Sequence, residues 1–412
     1  MTSARTHARI PRRFSLGRSA GILGTIAAVS VAVIGTAPSL AAQAPLGGQA
    51  GWQLSPSYAI WHFDCCTDAT DVASIKWASQ WTIPIVAAIP EGRNVTIDVA
   101  SGWMTSDVAL RSAATPTLHL SGPTDTKVRA AIRFGGDALL ATFGLNIPTG
   151  ATNLDAEELS VQRVVGAPQL RFDAPALGTG LGGIAGLVYT RQIGTWSWGL
   201  GTSYEYRGEY TPAQAIALGL GSGIVGLRPG QAVRLSIGTD GLVGQSAMSV
   251  SLASTIYTKD RITTSSGATP LDAVTLGPMF TGEWRLRTTA PLFRELSFYA
   301  FDRYRTAYHR GGAAVSGTSG NEAEVGAQGL IPVSPSFAFV AGLRGRHFTG
   351  LSIDNTLGTA GATLGGGNVG VQWRVGGVAL QPAIGAEFGR IDTGVQNVNA
   401  HELYGSFTIT SR

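Results

Sequence analysis

The sequence predicts an all-β chain: an antiparallel transmembrane β-barrel of about 16 strands, with short periplasmic turns and long extracellular loops. Three observations carry that reading. Apolar and polar residues alternate with period two along most of the chain. The alternating runs often reach ten residues or more, against about 5–6 in soluble sheets and about 9–11 in a tilted membrane-spanning strand. The connections between them are short and long in turn, which a soluble sandwich has no reason to be. Composition agrees. Of 412 residues 56 are Gly and only 14% are Asp, Glu, Lys or Arg, where a typical soluble domain carries about 25% charge.

The N-terminus reads as an export signal. Arg5, Arg9, Arg12, Arg13 and Arg18 precede an apolar, small-residue stretch from Ala20 to Ala37, and Ala41-Ala42-Gln43-Ala44 supplies an A-x-A cleavage site. Residues 1–44 hold five of the 30 basic residues and no acidic ones. The expected mature domain, 45–412, therefore has 25 basic and 26 acidic residues. The formal +4 of the whole chain belongs to the signal, and nucleic acid is not an expected partner. Arg12-Arg13 resembles a twin-arginine signal, but Ser15 and Leu16 fit that pattern poorly, so the general secretory route is expected. No run of 18 apolar residues follows residue 44, so no transmembrane helix is expected.

The strands follow in order. Trp52–Phe63 is the candidate first strand, needed because 15 further strands follow from Gln80 and single-chain bacterial barrels have even strand numbers. The alternative is 14 strands with the N-terminal segment folded inside as a plug. Asp125–Phe134 alternates Val128, Ala130 and Ile132 with Lys127, Arg129 and Arg133, and Asp137–Ile147 continues the pattern. Trp198, Leu200 and Tyr204 oppose Gly199, Gly201 and Glu205; Val233 and Leu235 oppose Arg234 and Ser236; Trp284 and Leu286 oppose Glu283, Arg285 and Arg287; Val371 and Trp373 oppose Gln372 and Arg374. The last strand is Glu402–Thr410. Short turns are expected near 90–94, 135–137, 192–195, 239–245, 290–295, 332–335 and 376–377. Long loops are expected near 104–123, 148–183, 208–230, 258–271, 307–321, 348–366 and 389–400. Aromatic residues gather at strand ends, with Phe134, Trp196 and Phe337 by short turns and Trp103, Tyr206, Tyr257 and Phe388 by long loops, as in two interfacial belts.

If apolar faces meet lipid, the polar faces meet the lumen. The expected lumen-lining residues are Lys127, Arg129, Arg133, Arg234, Arg285, Arg287, Arg303, Arg305, Arg344, Arg346 and Arg374. The acids Asp98, Glu205, Glu283, Glu324 and Glu387 lie on the same faces. A basic eyelet preferring anions or carboxylated solutes is one reading, and a set of Arg–Glu wall pairs is the other. Loop 148–183 is the longest. With Asp155, Glu157 and Glu158, and a short helix over 153–164, it can fold inward as a constriction, hold a divalent cation, or remain a solvated surface loop. Cys65-Cys66 is expected as an oxidised pair in a loop. No cofactor or metal is expected.

Ser121-Gly122-Pro123-Thr124-Asp125-Thr126-Lys127-Val128-Arg129, followed by Phe143-Gly144-Leu145-Asn146-Ile147-Pro148-Thr149-Gly150, is similar to a hairpin of the outer-membrane channels of the phenol-degradation family. Those channels are distant relatives of the long-chain fatty-acid and hydrocarbon transporters. The match covers about 30 residues closely, within 121–150. The transporters' N-P-F signature is absent, and the chain ends Ile409-Thr410-Ser411-Arg412 rather than on an aromatic residue. The resemblance implies a channel for hydrophobic or aromatic compounds, without residue roles. The expected function is thus a channel in the bacterial outer membrane passing small solutes through its lumen, not an enzyme. Its expected partners are the lipid bilayer, the outer-membrane insertion machinery and small-molecule solutes. The alternatives are a structural or adhesive barrel with a plugged lumen, and an outer-membrane hydrolase. For the last, His62, His119, His309, His347 and His401 offer no partner motif.

Overall fold

The computed structural model describes residues 50–64, 75–111, 117–136, 138–212, 225–264, 274–350, 360–392 and 397–411. The expected signal peptide and Cys65-Cys66 lie outside these residues. Within them, alternation resolves into sixteen strands that close on themselves. β1 (Gly51–Leu54 and Ser57–Asp64) is followed by β2 (Ile75–Glu91), β3 (Val95–Leu110), β4 (Leu118–Pro123 and Thr126–Phe134) and β5 (Leu139–Ile147). Helix α1 (Ala156–Val165) interrupts before β6 (Gly182–Ile193), β7 (Trp196–Arg207), β8 (Ala232–Val243), β9 (Ser246–Tyr257) and β10 (Met279–Ala290). β11 (Phe293–Arg305), β12 (Gly320–Pro332), β13 (Phe337–Thr349), β14 (Gly361–Val375), β15 (Val378–Asp392) and β16 (Asn397–Ser411) complete the wall.

Each strand pairs antiparallel with its chain neighbours, and β1 closes the barrel on β16, with Tyr58 opposite Gly405 and His62 opposite His401. The expected first strand is therefore part of the wall, and no N-terminal plug is needed. Two strands are counted whole despite two-residue breaks. At Ser55-Pro56 the proline has no N–H to give the ladder. At Thr124-Asp125 one extra residue is inserted: Trp103 faces Pro123 but Ala100 faces Lys127. This bulge switches which parity of β4 points inward.

The long strands extend beyond the expected ones. β3 runs to Leu110 and β4 begins at Leu118, where a loop over 104–123 was expected; β15 and β16 likewise run through much of 389–400. Their ends carry Asp107, His119, Asn397 and Asn399, and these polar ends hide a ladder that rises past the hydrocarbon zone. Above the wall, Val225–Arg228 pairs with Arg261–Thr264 in a separate ribbon.

The outward face is apolar and exposed: Ile85, Leu145, Leu200, Leu235, Leu252, Val325, Leu343, Val369, Ile384 and Leu403 are all more than half exposed. That band is the signature of a wall that meets lipid. Trp103, Tyr206 and Phe388 flank it near the long loops, and Phe134 near the short turns. Tyr257 does not join this belt. It is 8% exposed on the inward face, with the Arg207 and Arg305 guanidiniums 5.4 and 5.7 Å from its ring centre. It shares the inward parity of β9 with Ser251 and Thr255.

The two faces predict opposite tolerances. Leu343→Arg, at mid-height on the outward face, is expected to cost about 2–4 kcal/mol in denaturant unfolding from lipid vesicles. Ser251→Arg, on the inward face of β9, is expected to cost much less in the same measurement.

Candidate functional site

The interior is built around segment 148–181, which leaves the end of β5 and returns to β6. Its neck is fixed by one carboxylate. Asp125, 7% exposed at the β4 bulge, accepts from the Gly150 N–H at 3.1 Å, the Thr179 N–H at 2.7 Å, the Thr179 hydroxyl at 3.1 Å and Asn146 Nδ2 at 2.7 Å. Its own N–H donates to the Leu177 carbonyl at 2.9 Å. Both ends of the segment thus meet at one side chain. They also cross at van der Waals contact: a Cβ on Gly150 would lie 2.1 Å from the Leu177 oxygen, and one on Gly178 2.7 Å from the Gly150 oxygen. Only glycine fits there.

Beyond the neck, Asp155 caps α1. It accepts from the Glu158 N–H at 2.9 Å, and the Glu158 carboxylate accepts from the Asp155 N–H at 3.0 Å, a reciprocal box. Glu157 accepts from the His119 N–H at 3.1 Å and ties the helix to β4. The buried face of α1, Val161, Val164 and Val165, packs in one cluster with Met104, Val108 and Leu120 of the inner wall. So the segment does turn into the barrel, but the three carboxylates named from sequence sit at the N-cap and in the first turn of α1, occupied in capping and docking. Among the described residues no group of three His, Cys, Asp or Glu is placed to hold a metal ion.

The inner reach of the segment is residues 169–174. Trp61 Nε1 donates to the Leu170 carbonyl at 2.9 Å, and Gln80 bonds both ways with Ala174, at 2.8 and 2.9 Å. Asp173 accepts from Ser57 and Thr82, which lie near the middle of β1 and β2. Arg346 of β13 donates to the Gln169 carbonyl at 3.2 Å. Arg171 reaches β12, forming ion pairs with Glu322 and Glu324. It is the single non-glycine residue with positive φ (47°) among the described residues, a conformation that costs of order 1 kcal/mol or more and persists only where its surroundings impose it. Burial works against its charge, but Glu322 and Glu324 more than offset that and hold its pKa above the ordinary value.

Around this tip runs a chain of charges. Glu322 also pairs with Arg303, and Glu324 accepts from the Tyr299 hydroxyl at 2.6 Å. Arg344 and Arg346 of β13 both pair with Glu387 of β15, and Arg344 lies 3.6 Å from Glu402 of β16. The Arg344–Glu387 pair spans β14, and Gly366 is the residue between them in register. A Cβ on Gly366 would lie 2.7 Å from both the Glu387 Cα and Cγ, so its absence admits the carboxylate against the strand.

The other residues expected in the lumen fall as follows. Lys127, Arg129 and Arg133 share one face of β4, and Arg129 Nε donates to Asp98 at 2.9 Å. Arg207 pairs with Glu205 at 3.0 Å, and Arg285 lies 3.8 Å from Glu283. Arg287 is 3.9 Å from Glu295, Arg305 stands by Tyr257, and Arg374 at the end of β14 donates to Gln372. Arg234 sits half-buried opposite Ser203 and Thr255. Many of the arginines are therefore in wall pairs. Trp61, Ser57, Gln80, Thr82, Arg346, Glu322 and Glu324 seat the tip from β1, β2, β12 and β13, and Arg234, Ser236, Ser251, Glu283 and Arg285 line a cavity on β8–β10 across the barrel. Asp125, Glu322 and Glu402 were not singled out as functional in the sequence. Asp125 had a signal, since it stands inside the Gly-Pro-Thr-Asp phrase, but nothing local marks the two glutamates.

The neck gives a prediction. Asp125→Ala removes four accepted hydrogen bonds and is expected to loosen both ends of segment 148–181 by about 2–3 kcal/mol. Limited proteolysis of the membrane-embedded protein should then cut within 148–181 at least tenfold faster, with the barrel itself intact.

No protein-family model matches the sequence, and no curated protein matches it. Solved outer-membrane barrels are similar in structure. OccK1 (OpdK) of Pseudomonas aeruginosa is 11% identical with a TM-score of 0.41, over 88% of this chain and 98% of that one. A bacterial polysaccharide outer-membrane secretin is 10% identical with a TM-score of 0.43, over 89% and 98%. OmpT, an outer-membrane protein of Vibrio cholerae, is 9% identical with a TM-score of 0.36, over 87% and 98%. At these identities the likeness is one of fold alone.

Proposed function

We propose that the protein is a diffusion channel of the bacterial outer membrane for small polar solutes, with a preference for anions. The observation that carries this is the one-sided seating of segment 148–181. Its tip is fixed to β1, β2, β12 and β13. With Arg303 set against its partner Glu322 of β12, the inward faces of β7–β11 carry Arg207, Arg234, Arg285, Arg287 and Arg305 against Glu205, Asp240, Glu283 and Glu295, an excess of one positive charge. A barrel of this strand number has room for an aqueous path. Fixed charge along such a path selects ions by sign.

The hydrophobic or aromatic solutes implied by the sequence resemblance find less support. Apolar side chains inside the barrel, such as Trp61, Met104, Leu170 and Phe348, are already buried against one another. A solute on the β8–β10 side meets Arg, Glu, Ser and Thr instead.

Reconstitution in planar bilayers tests the reading. Under a salt gradient, the reversal potential should report anions as the more permeant ions. Arg234→Gln with Arg285→Gln should lower the anion-to-cation ratio several-fold, since each unit charge about 10 Å from an ion in water contributes about 0.4 kcal/mol. A cation-selective wild type overturns the anion preference. Absence of any conductance overturns the channel and leaves a structural barrel.

A further inference from the structure

Outside the lumen, the ribbon above β8 and β9 holds a charge arrangement that the channel does not use. Arg228 and Arg261 stand directly opposite each other in the antiparallel pair Val225–Arg228 with Arg261–Thr264. Opposite residues in such a pair share a face, so the two arginines put like charges on one side of the ribbon, a destabilising pairing when nothing compensates it. Lys259 is two residues before Arg261 in a chain that is still extended, bridging to Thr275, and so returns to that face.

The height and direction of that face are fixed by a ring. The Arg228 guanidinium lies 5.7 Å from the centre of the Tyr206 ring. Tyr206 alternates with Glu205 and Arg207, is 40% exposed, and belongs to the outward aromatic belt at the loop end of the barrel. Arg228 is thus at the boundary where hydrocarbon gives way to headgroups, on the membrane side of the wall. The one acid among these residues is turned elsewhere: Asp260 Oδ1 accepts from the Gly230 N–H at 2.6 Å. Arg228, Lys259 and Arg261 line a cavity of about 380 Å³, and the last two are exposed.

We propose that Arg228, Lys259 and Arg261 form a binding site for the phosphate groups of lipid headgroups in the outer leaflet. Phosphate oxygens placed between the two guanidiniums relieve their repulsion and accept charge-assisted hydrogen bonds from both, with the Lys259 ammonium as a third donor. The site lies outside the lumen and does not depend on conduction.

Native mass spectrometry of the purified full-length barrel with lipid A tests it, comparing bisphosphorylated and fully dephosphorylated forms. The wild type should retain the bisphosphorylated lipid, and Arg228→Gln/Lys259→Gln/Arg261→Gln should weaken retention by about tenfold or more, as expected for three cations at a membrane surface. The charge-preserving Arg228→Lys/Arg261→Lys variant should keep most of it, which separates lost charge from lost fold. Equal retention of the dephosphorylated lipid, or no difference between wild type and triple variant, overturns the proposal. Full displacement of the lipid by millimolar inorganic phosphate also overturns it, since the site would then serve a free anion.

Discussion

The hydrocarbon of a membrane offers no partner to a peptide N–H or C=O, so a sheet that enters it must have no edge. The ladder from Ser57–Asp64 to Asn399–Ser406 is the answer this chain gives, and the rest of the molecule depends on it. Closure fixes an even strand count, which puts both termini of the barrel at the same end. It also fixes the meaning of alternation: every second residue meets lipid, and its neighbour meets an enclosed interior. The outward face can then be apolar without a soluble-protein core, and over the hydrocarbon-facing middle of the strands charge is confined to the inside.

An interior that large would stay empty of protein were it not for segment 148–181. Its apolar residues find partners only on the inner wall, where Trp61, Met104, Val108, Leu120 and Leu364 replace what would be a domain core. Two polar devices hold it there. Asp125 gathers the neck at the rim, and Arg171 reaches two buried glutamates on β12. Removing one partner of a buried ion pair leaves an uncompensated charge, at a cost of about 3–5 kcal/mol, so Arg171 with Glu322 and Glu324, and Arg346 with Glu387, each stand or fall as a set. Gly366 shows the same economy from the other side: by lacking a side chain it lets β13 and β15 pair across β14.

How much of this was legible in the sequence follows the range of the interaction. Strand alternation is local, so the 16 strands, the first strand over Trp52–Phe63 and the sorting of short and long connections could all be read. Strand ends beyond the hydrocarbon could not, because Asp107 and His119 look like loop residues although they pair. The inward parity of Lys127, Arg129 and Arg133 was readable within their strand. Its reversal before Thr124 needed the partner strand. The phrases around Asp125 and Gly150 were recognisable as a pattern, but their shared task, closing a neck, appears only when Leu177 and Thr179 are brought beside them. Arg171 is furthest from legibility, since its partners are 151 and 153 residues away and its backbone conformation leaves no mark in composition.

Segment 148–181 lies against one half of the lumen, and spin-label distances in the embedded protein test that directly. Labels at position 173 and at position 82 should couple strongly, whereas labels at 173 and 251 should couple weakly, both in a background with Cys65 and Cys66 replaced by serine. Equal and weak coupling in both pairs would place the segment outside the barrel and contradict the account.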